Sequence, residues 1–275
     1  MFIKNTIRYF FCLFLVSMIL SACSSQSSSV QNSSQPNSKP MPAGKGVTWH
    51  LVVIGDSSLW GLGKAMAKQI EADQGVKVEV YDAANGGLSA GSVRYALETG
   101  NSESYSLKGL MDALRDAEYV IMFVNPLDSM LPDKPLDLEN CFSTNKATAC
   151  GLDRFANYVN DLEFIWKKTI ELRVGQPTIL RATDIYNPIL VYWQKYGTTK
   201  ECTTCWENMS AAARQAAANL GIPFLSRYDD FNGSLHRDNP RQKGFIRDDG
   251  EHPTDLANEH TAQLLAAMGY NATIP

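Results

Sequence analysis

Five short apolar runs, Leu51–Ile54, Val76–Tyr81, Tyr119–Val124, Thr178–Arg181 and Pro223–Ser226, alternate with helical stretches along the chain, and this alternation narrows the fold more than any other feature. Runs of Val, Ile and Leu with no polar face suit strands buried on both sides, as in parallel sheets. Parallel neighbours need a crossover, normally a helix, so the pattern predicts an α/β domain with helices on both faces of a parallel sheet. The helices are legible in the same way. Phe155, Tyr158, Val159, Leu162, Ile165, Trp166 and Ile170 recur at three-to-four spacing and put one apolar face toward the sheet. Leu59–Ala72, Leu107–Arg115, Trp206–Leu220 and Asp255–Met268 follow suit, the last two closed by Gly221 and Gly269. Asn125–Gly151, Asp184–Cys205 and Phe231–Glu251 read as long loops.

Residues 1–22 carry Lys4 and Arg8 ahead of an apolar run from Tyr9 to Leu20, the pattern of a cleaved export signal. The run ends in LSAC, which resembles the lipobox of bacterial lipoproteins and marks Cys23 as the lipidated residue at the mature N-terminus. Residues 23–46 are rich in Ser, Asn, Gln and Pro and cannot bury enough apolar surface to fold, so they read as a flexible tether. Residues 47–275 then form one domain. The expected location is the cell envelope, with the lipid as the contact to the membrane. A net charge of −4 without a Lys/Arg cluster excludes nucleic acid as a natural partner.

Four of the six cysteines, Cys141, Cys150, Cys202 and Cys205, fall in the domain. In an exported protein they suggest two disulfides, most simply Cys141 with Cys150 and Cys202 with Cys205, although three pairings are open. A zinc site with four thiolate ligands is the alternative, since CTTC has ligand spacing.

Chemistry in open α/β sheets sits beyond the carboxyl ends of the strands. The first strand ends in GDS, residues 55–57, and Ser57 needs a base before it can act as a nucleophile. Of the four histidines, His50, His236 and His260 read as surface or structural residues. His252 differs, because Asp249 precedes it by three residues in a turn containing Gly250 and can bend back to the far ring nitrogen. Three strand ends offer donors for an oxyanion: the Ser57 N–H, the Gly87 N–H in NGGLSAG, and the Asn125 amide. Gly86 and Gly91 are alternatives to Gly87.

These landmarks, GDS at Ser57, Gly87, Asn125 and DGEH ending at His252, resemble those of the SGNH or GDSL hydrolase family and occur in its order. The resemblance implies a three-layer, flavodoxin-like α/β/α sandwich around a five-stranded parallel sheet. It also implies Ser57 as nucleophile, Asp249 and His252 as its triad partners, and Ser57, Gly87 and Asn125 as the oxyanion hole. The frame from Asp82 through Ala84 to Ser89 favours Gly87 over its neighbours. Phe123, Pro126 and Ser58 depart from the family pattern, which has Gly, Asp and Leu there.

The implied activity is cleavage of a carboxylic ester, acyl or acetyl, without metal or organic cofactor, on a substrate such as an acylated glycan or lipid. Acyl transfer by the same triad, or capture of a glycan or lipid without catalysis, are the alternatives. After the fourth strand, Arg181, Asp184, Tyr186 and Asn187 could line a substrate pocket or be held by buried hydrogen bonds within their loop. Tyr192, Trp193 and Trp206 could stack on substrate or pack beneath a long loop.

Overall fold

The computed structural model describes residues 41–102, 104–126, 141 and 151–274. Cys23, the signal, nearly all of the tether and Cys150 lie outside the described residues. Strands β1 (Thr48–Gly55), β2 (Lys77–Asp82), β3 (Tyr119–Phe123), β4 (Ile179–Thr183) and β5 (Phe224–Leu225) form one sheet. Its order is β2-β1-β3-β4-β5, and all four pairings are parallel. The central strands are buried throughout β3 and β4, whereas β2 at the edge exposes Lys77, Glu79 and Asp82. Charge on an edge strand discourages pairing with another chain.

Alternation along each strand sorts the core into two layers. Val52, Ile54, Val120, Met122 and Leu180 face one side. They meet α2 (Ala90–Thr99), α3 (Leu110–Asp116), α4 (Ala156–Leu172) and α6 (Thr199–Asn219). Leu51, Val53, Ile121, Phe123 and Ile179 face the other and meet α1 (Leu62–Gln74) and α8 (Asp255–Ala267). Each fully buried Leu or Ile contributes about 2 kcal/mol by leaving water. The result is the expected three-layer sandwich. A smaller cluster of Tyr186, Phe231, Ile246 and Ala257 lies at the carboxyl ends of the strands.

Asp184–Cys205 is not the open loop expected from sequence. It contains α5 (Leu190–Tyr196) and the first turns of α6, which starts at Thr199 rather than Trp206. The short α7 (Arg227–Asn232) follows β5. The cysteine pairing also differs: Cys141 bonds Cys202, with Cα atoms 5.6 Å apart, and Cys205 is disulfide-bonded too. Cys202 and Cys205 lie three apart on the same helix. Helical neighbours at that spacing hold their Cβ atoms about 5–6 Å apart, beyond the ~4 Å a disulfide requires, so each bridges outward. With these thiols oxidised, a four-thiolate zinc site does not form. Among the described residues no helix is long and apolar enough to cross a membrane.

Candidate active site

Ser57 opens a single turn of 3-10 helix, Ser57–Leu59, immediately past the end of β1. Asp56 caps it, accepting from Ser58 N–H at 2.9 Å, and Trp60 N–H closes it on Ser57 C=O at 3.2 Å. Gly55 permits so sharp a turn: a Cβ there would run into the Leu59 side chain and lie 2.6 Å from the Phe123 carbonyl oxygen. Ser57 itself is half-buried.

Sheet register carries the other strand ends to the same place. Gly55 pairs with Phe123 on β3, so Ser57 and Asn125 each stand two residues past a paired position on adjacent strands. Such strands are spaced about 4.8 Å apart. On the other flank Val53 pairs with Asp82, and Asn85 N–H donates to Gly55 C=O at 2.9 Å. Asn85–Leu88 then forms a turn, Leu88 N–H to Asn85 C=O at 3.0 Å, with Gly87 at φ +72°. Only the third residue has positive φ, as in a type II turn, where glycine is favoured. Leu88 and Ala90 bond Asn125 through its backbone N–H and C=O, which ties the Gly87 loop to the end of β3. The Asn125 side chain hydrogen-bonds Asp56. Burial raises the Asp56 carboxyl above its ordinary range, and bonds from Ser58, the Arg227 charge and Asn125 offset part of that rise.

His252 belongs to a turn closed by a bridge, Ile246 with Pro253, just before the start of α8. Arg247 N–H donates to His252 C=O at 2.9 Å, and Gly250 N–H to Arg247 C=O at 3.0 Å. Asp249 accepts from the N–H groups of Glu251 and His252 at 2.9 and 3.0 Å, while its second oxygen lies 3.0 Å from His252 Nδ1. Those backbone N–H groups, more than the imidazole, hold the Asp249 carboxyl down to about 2. With Nδ1 turned to Asp249, Nε2 is the ring nitrogen left for another partner. Trp60 joins this turn to the nucleophile turn: its indole stacks on the His252 ring, centroids 4.6 Å apart and planes at 19°. Among the described residues Ser57 Oγ makes no hydrogen bond, to His252 included; such bonds often tighten only when substrate binds.

The residues after β4 are placed otherwise than in a substrate pocket. Asp184 is 1% exposed and accepts from Ser210 Oγ, Ser226 Oγ and Tyr228 N–H at 2.5, 2.7 and 3.0 Å. Asn187 is buried, accepting from Ile189 N–H and exchanging bonds with Asn232. Tyr186 packs on Phe231, and its hydroxyl donates to Glu251 C=O at 2.9 Å. All three side chains are buried and hydrogen-bonded within the protein, Asn187 through its Oδ1 alone, and Tyr186 braces the turn bearing His252. Arg181 is likewise spent on Leu180 and Gly269 carbonyls. Trp193 and Trp206 are buried and donate to Cys141 and Ile185 carbonyls, while Tyr192 is exposed. His50, His236 and His260 each meet carboxylates, Glu118, Glu207 with Asp229, and Asp230.

Arg227, which stands in no local sequence pattern, lies fully buried with its guanidinium over Tyr186 and Phe231, and donates to Ser58 C=O at 2.8 Å. It fixes the nucleophile turn from beneath.

No protein-family profile and no curated protein matches the chain by sequence. Solved structures do. The lipase Lip_vut3 from a goat rumen metagenome superposes with TM-score 0.59 at 16% identity, over 81% of this chain and 98% of that one. A lipase/acylhydrolase from Enterococcus faecalis gives 0.50 at 15% identity, over 80% and 94%. A putative SGNH hydrolase from Slackia heliotrinireducens gives 0.48 at 16%, over 81% and 100%. At these identities the likeness is one of fold: this chain and the goat-rumen and Enterococcus faecalis lipases share one α/β/α sandwich.

Proposed function

We propose that the protein is an SGNH-type serine hydrolase that cleaves carboxylic esters, acyl or acetyl, through an acyl-enzyme. The observation that carries this reading is the Asp249–His252 bond on a turn stacked, through Trp60, against the turn that begins with Ser57. Ser57 Oγ attacks the ester carbonyl carbon, and its proton passes to His252 Nε2. Asp249 keeps Nδ1 protonated and stabilises the imidazolium. The carbonyl oxygen becomes an oxyanion facing the Ser57 and Gly87 N–H groups and the Asn125 amide, each donor contributing about 3 kcal/mol. Collapse of the intermediate expels the alcohol, which takes its proton from His252. Water then enters by the same route and releases the acid.

Ser57→Ala is expected to lower turnover of a short-chain chromogenic ester at least about a thousandfold, leaving the melting temperature within a degree or two of the parent. Equal turnover in the variant refutes the mechanism. Export and attachment through a lipid on Cys23 complete the reading and place the substrate at the envelope, as an acylated glycan or lipid. Incorporation of labelled fatty acid, lost in Cys23→Ala, tests the anchor; incorporation that persists in the variant rejects it.

A further inference from the structure

Trp60 is out of character for this molecule. Trp49, Trp166, Trp193 and Trp206 are at most 1% exposed, whereas Trp60 is 37% exposed. Its backbone is nevertheless fixed at both ends, N–H to Ser57 C=O and C=O to the Asn258 side-chain amide of α8 at 2.9 Å. On the far edge Gly86 approaches it, since a Cβ there would lie 3.7 Å from the indole Cζ2. The indole thus stands between the Gly86–Gly87 loop and His252, with a face on the imidazole.

We infer that Trp60 is a positioning residue for the reaction proposed above, holding the His252 ring so that Nδ1 meets Asp249 and Nε2 stays open to Ser57, and stabilising the imidazolium. The inference rests on that reaction only for its kinetic consequence. An imidazole carried on a surface turn can pivot about its side-chain bonds, and the Asp249 contact restrains one ring atom. A stacked indole restrains the plane. Once the Ser57 proton has moved to Nε2, the ring is a cation against the negative face of a π-system, which is attractive. The other charged and titratable groups around His252 are Arg247, Asp248, Asp249 and Glu251 on its own turn, and Arg241, 3.5 Å from a Cβ at Gly250. The Tyr186 hydroxyl approaches from the β4 loop, with Asp56 and Arg227 beneath. None of them stacks on the ring.

The test reads indole emission in the purified protein against pH, because an imidazolium quenches an indole stacked on it. Emission is expected to fall as the pH drops through the imidazole range in the parent and in Ser57→Ala, and to stay level in His252→Gln. The persistence of the step in Ser57→Ala separates this inference from the fate of the hydrolase reading. For ester cleavage, Trp60→Leu should lower kcat about threefold or more and move the acid limb of kcat/KM about half a unit lower. Both follow from losing a cation–π contact of ordinary strength. Trp60→Phe, which keeps an aromatic face, should recover most of each effect. Emission curves that coincide in the parent and His252→Gln overturn the inference. An acid limb in Trp60→Leu that coincides with the parent's does so equally.

Discussion

Asp249 and Asp184 are both aspartates with several hydrogen bonds, yet their surroundings send them opposite ways. Asp249 is largely exposed, and the backbone N–H groups of Glu251 and His252 lower it to about 2. Its contribution is present above the ordinary aspartate range and is lost only as the pH falls toward that value. It stays ionised wherever an imidazole titrates, so kcat/KM should fall in acid with the loss of a single group, His252. A profile steepening to two protons above pH about 3 would contradict this. Burial raises Asp184, with the Ser210, Ser226 and Tyr228 bonds pulling it back. Asp184→Ala strands those donors and should cost about 3 kcal/mol in urea unfolding, whereas a substrate-contacting residue would change KM at constant stability. The sequence disclosed Asp249 and His252 because their bond spans three residues. It did not disclose Tyr186 as a brace or Arg227 as a support, because their partners, Glu251 and Ser58, lie 65 and 169 positions away.

At the scale of elements, the strands were legible because β1, β3 and β4 carry apolar runs buried on both faces, and the boundaries of all five agree with the sheet to within a few residues. The N-terminal part of α6 was not, because TKECTTC shows no apolar period unless the cysteines are counted as buried. They are buried, and one is bonded to Cys141. Helix α2 is hard to read for a related reason: AGSVRYALET has Gly91 and Ser92 in its first turn, although Ala90, Val93, Ala96 and Leu97 form its buried face and Ser89 caps it. The Cys141–Cys202 bond closes a separation of 61 residues, for which chain-entropy reasoning gives about 4 kcal/mol. The double variant Cys141→Ala/Cys202→Ala should lose roughly that much in urea unfolding. An unchanged midpoint would mean that the closed loop is already constrained in the unfolded chain.

For the whole molecule, the sheet does what a set of loops could not. Parallel register delivers Ser57, the Gly87 loop and Asn125 to one edge, and the turn before α8 brings His252 across nearly two hundred residues onto Trp60, three residues past Ser57. Parallel sandwiches of this kind open toward ligands at that edge. The alternation of runs made the architecture readable, but the meeting of the two turns depends on Trp60, Arg227 and Asn258, contacts that no local pattern encodes. The most direct test is reaction with a fluorophosphonate followed by peptide mapping. The account predicts a single adduct on Ser57 that forms far more slowly in His252→Gln; a protein that stays unlabelled, or carries the phosphonate elsewhere, contradicts it.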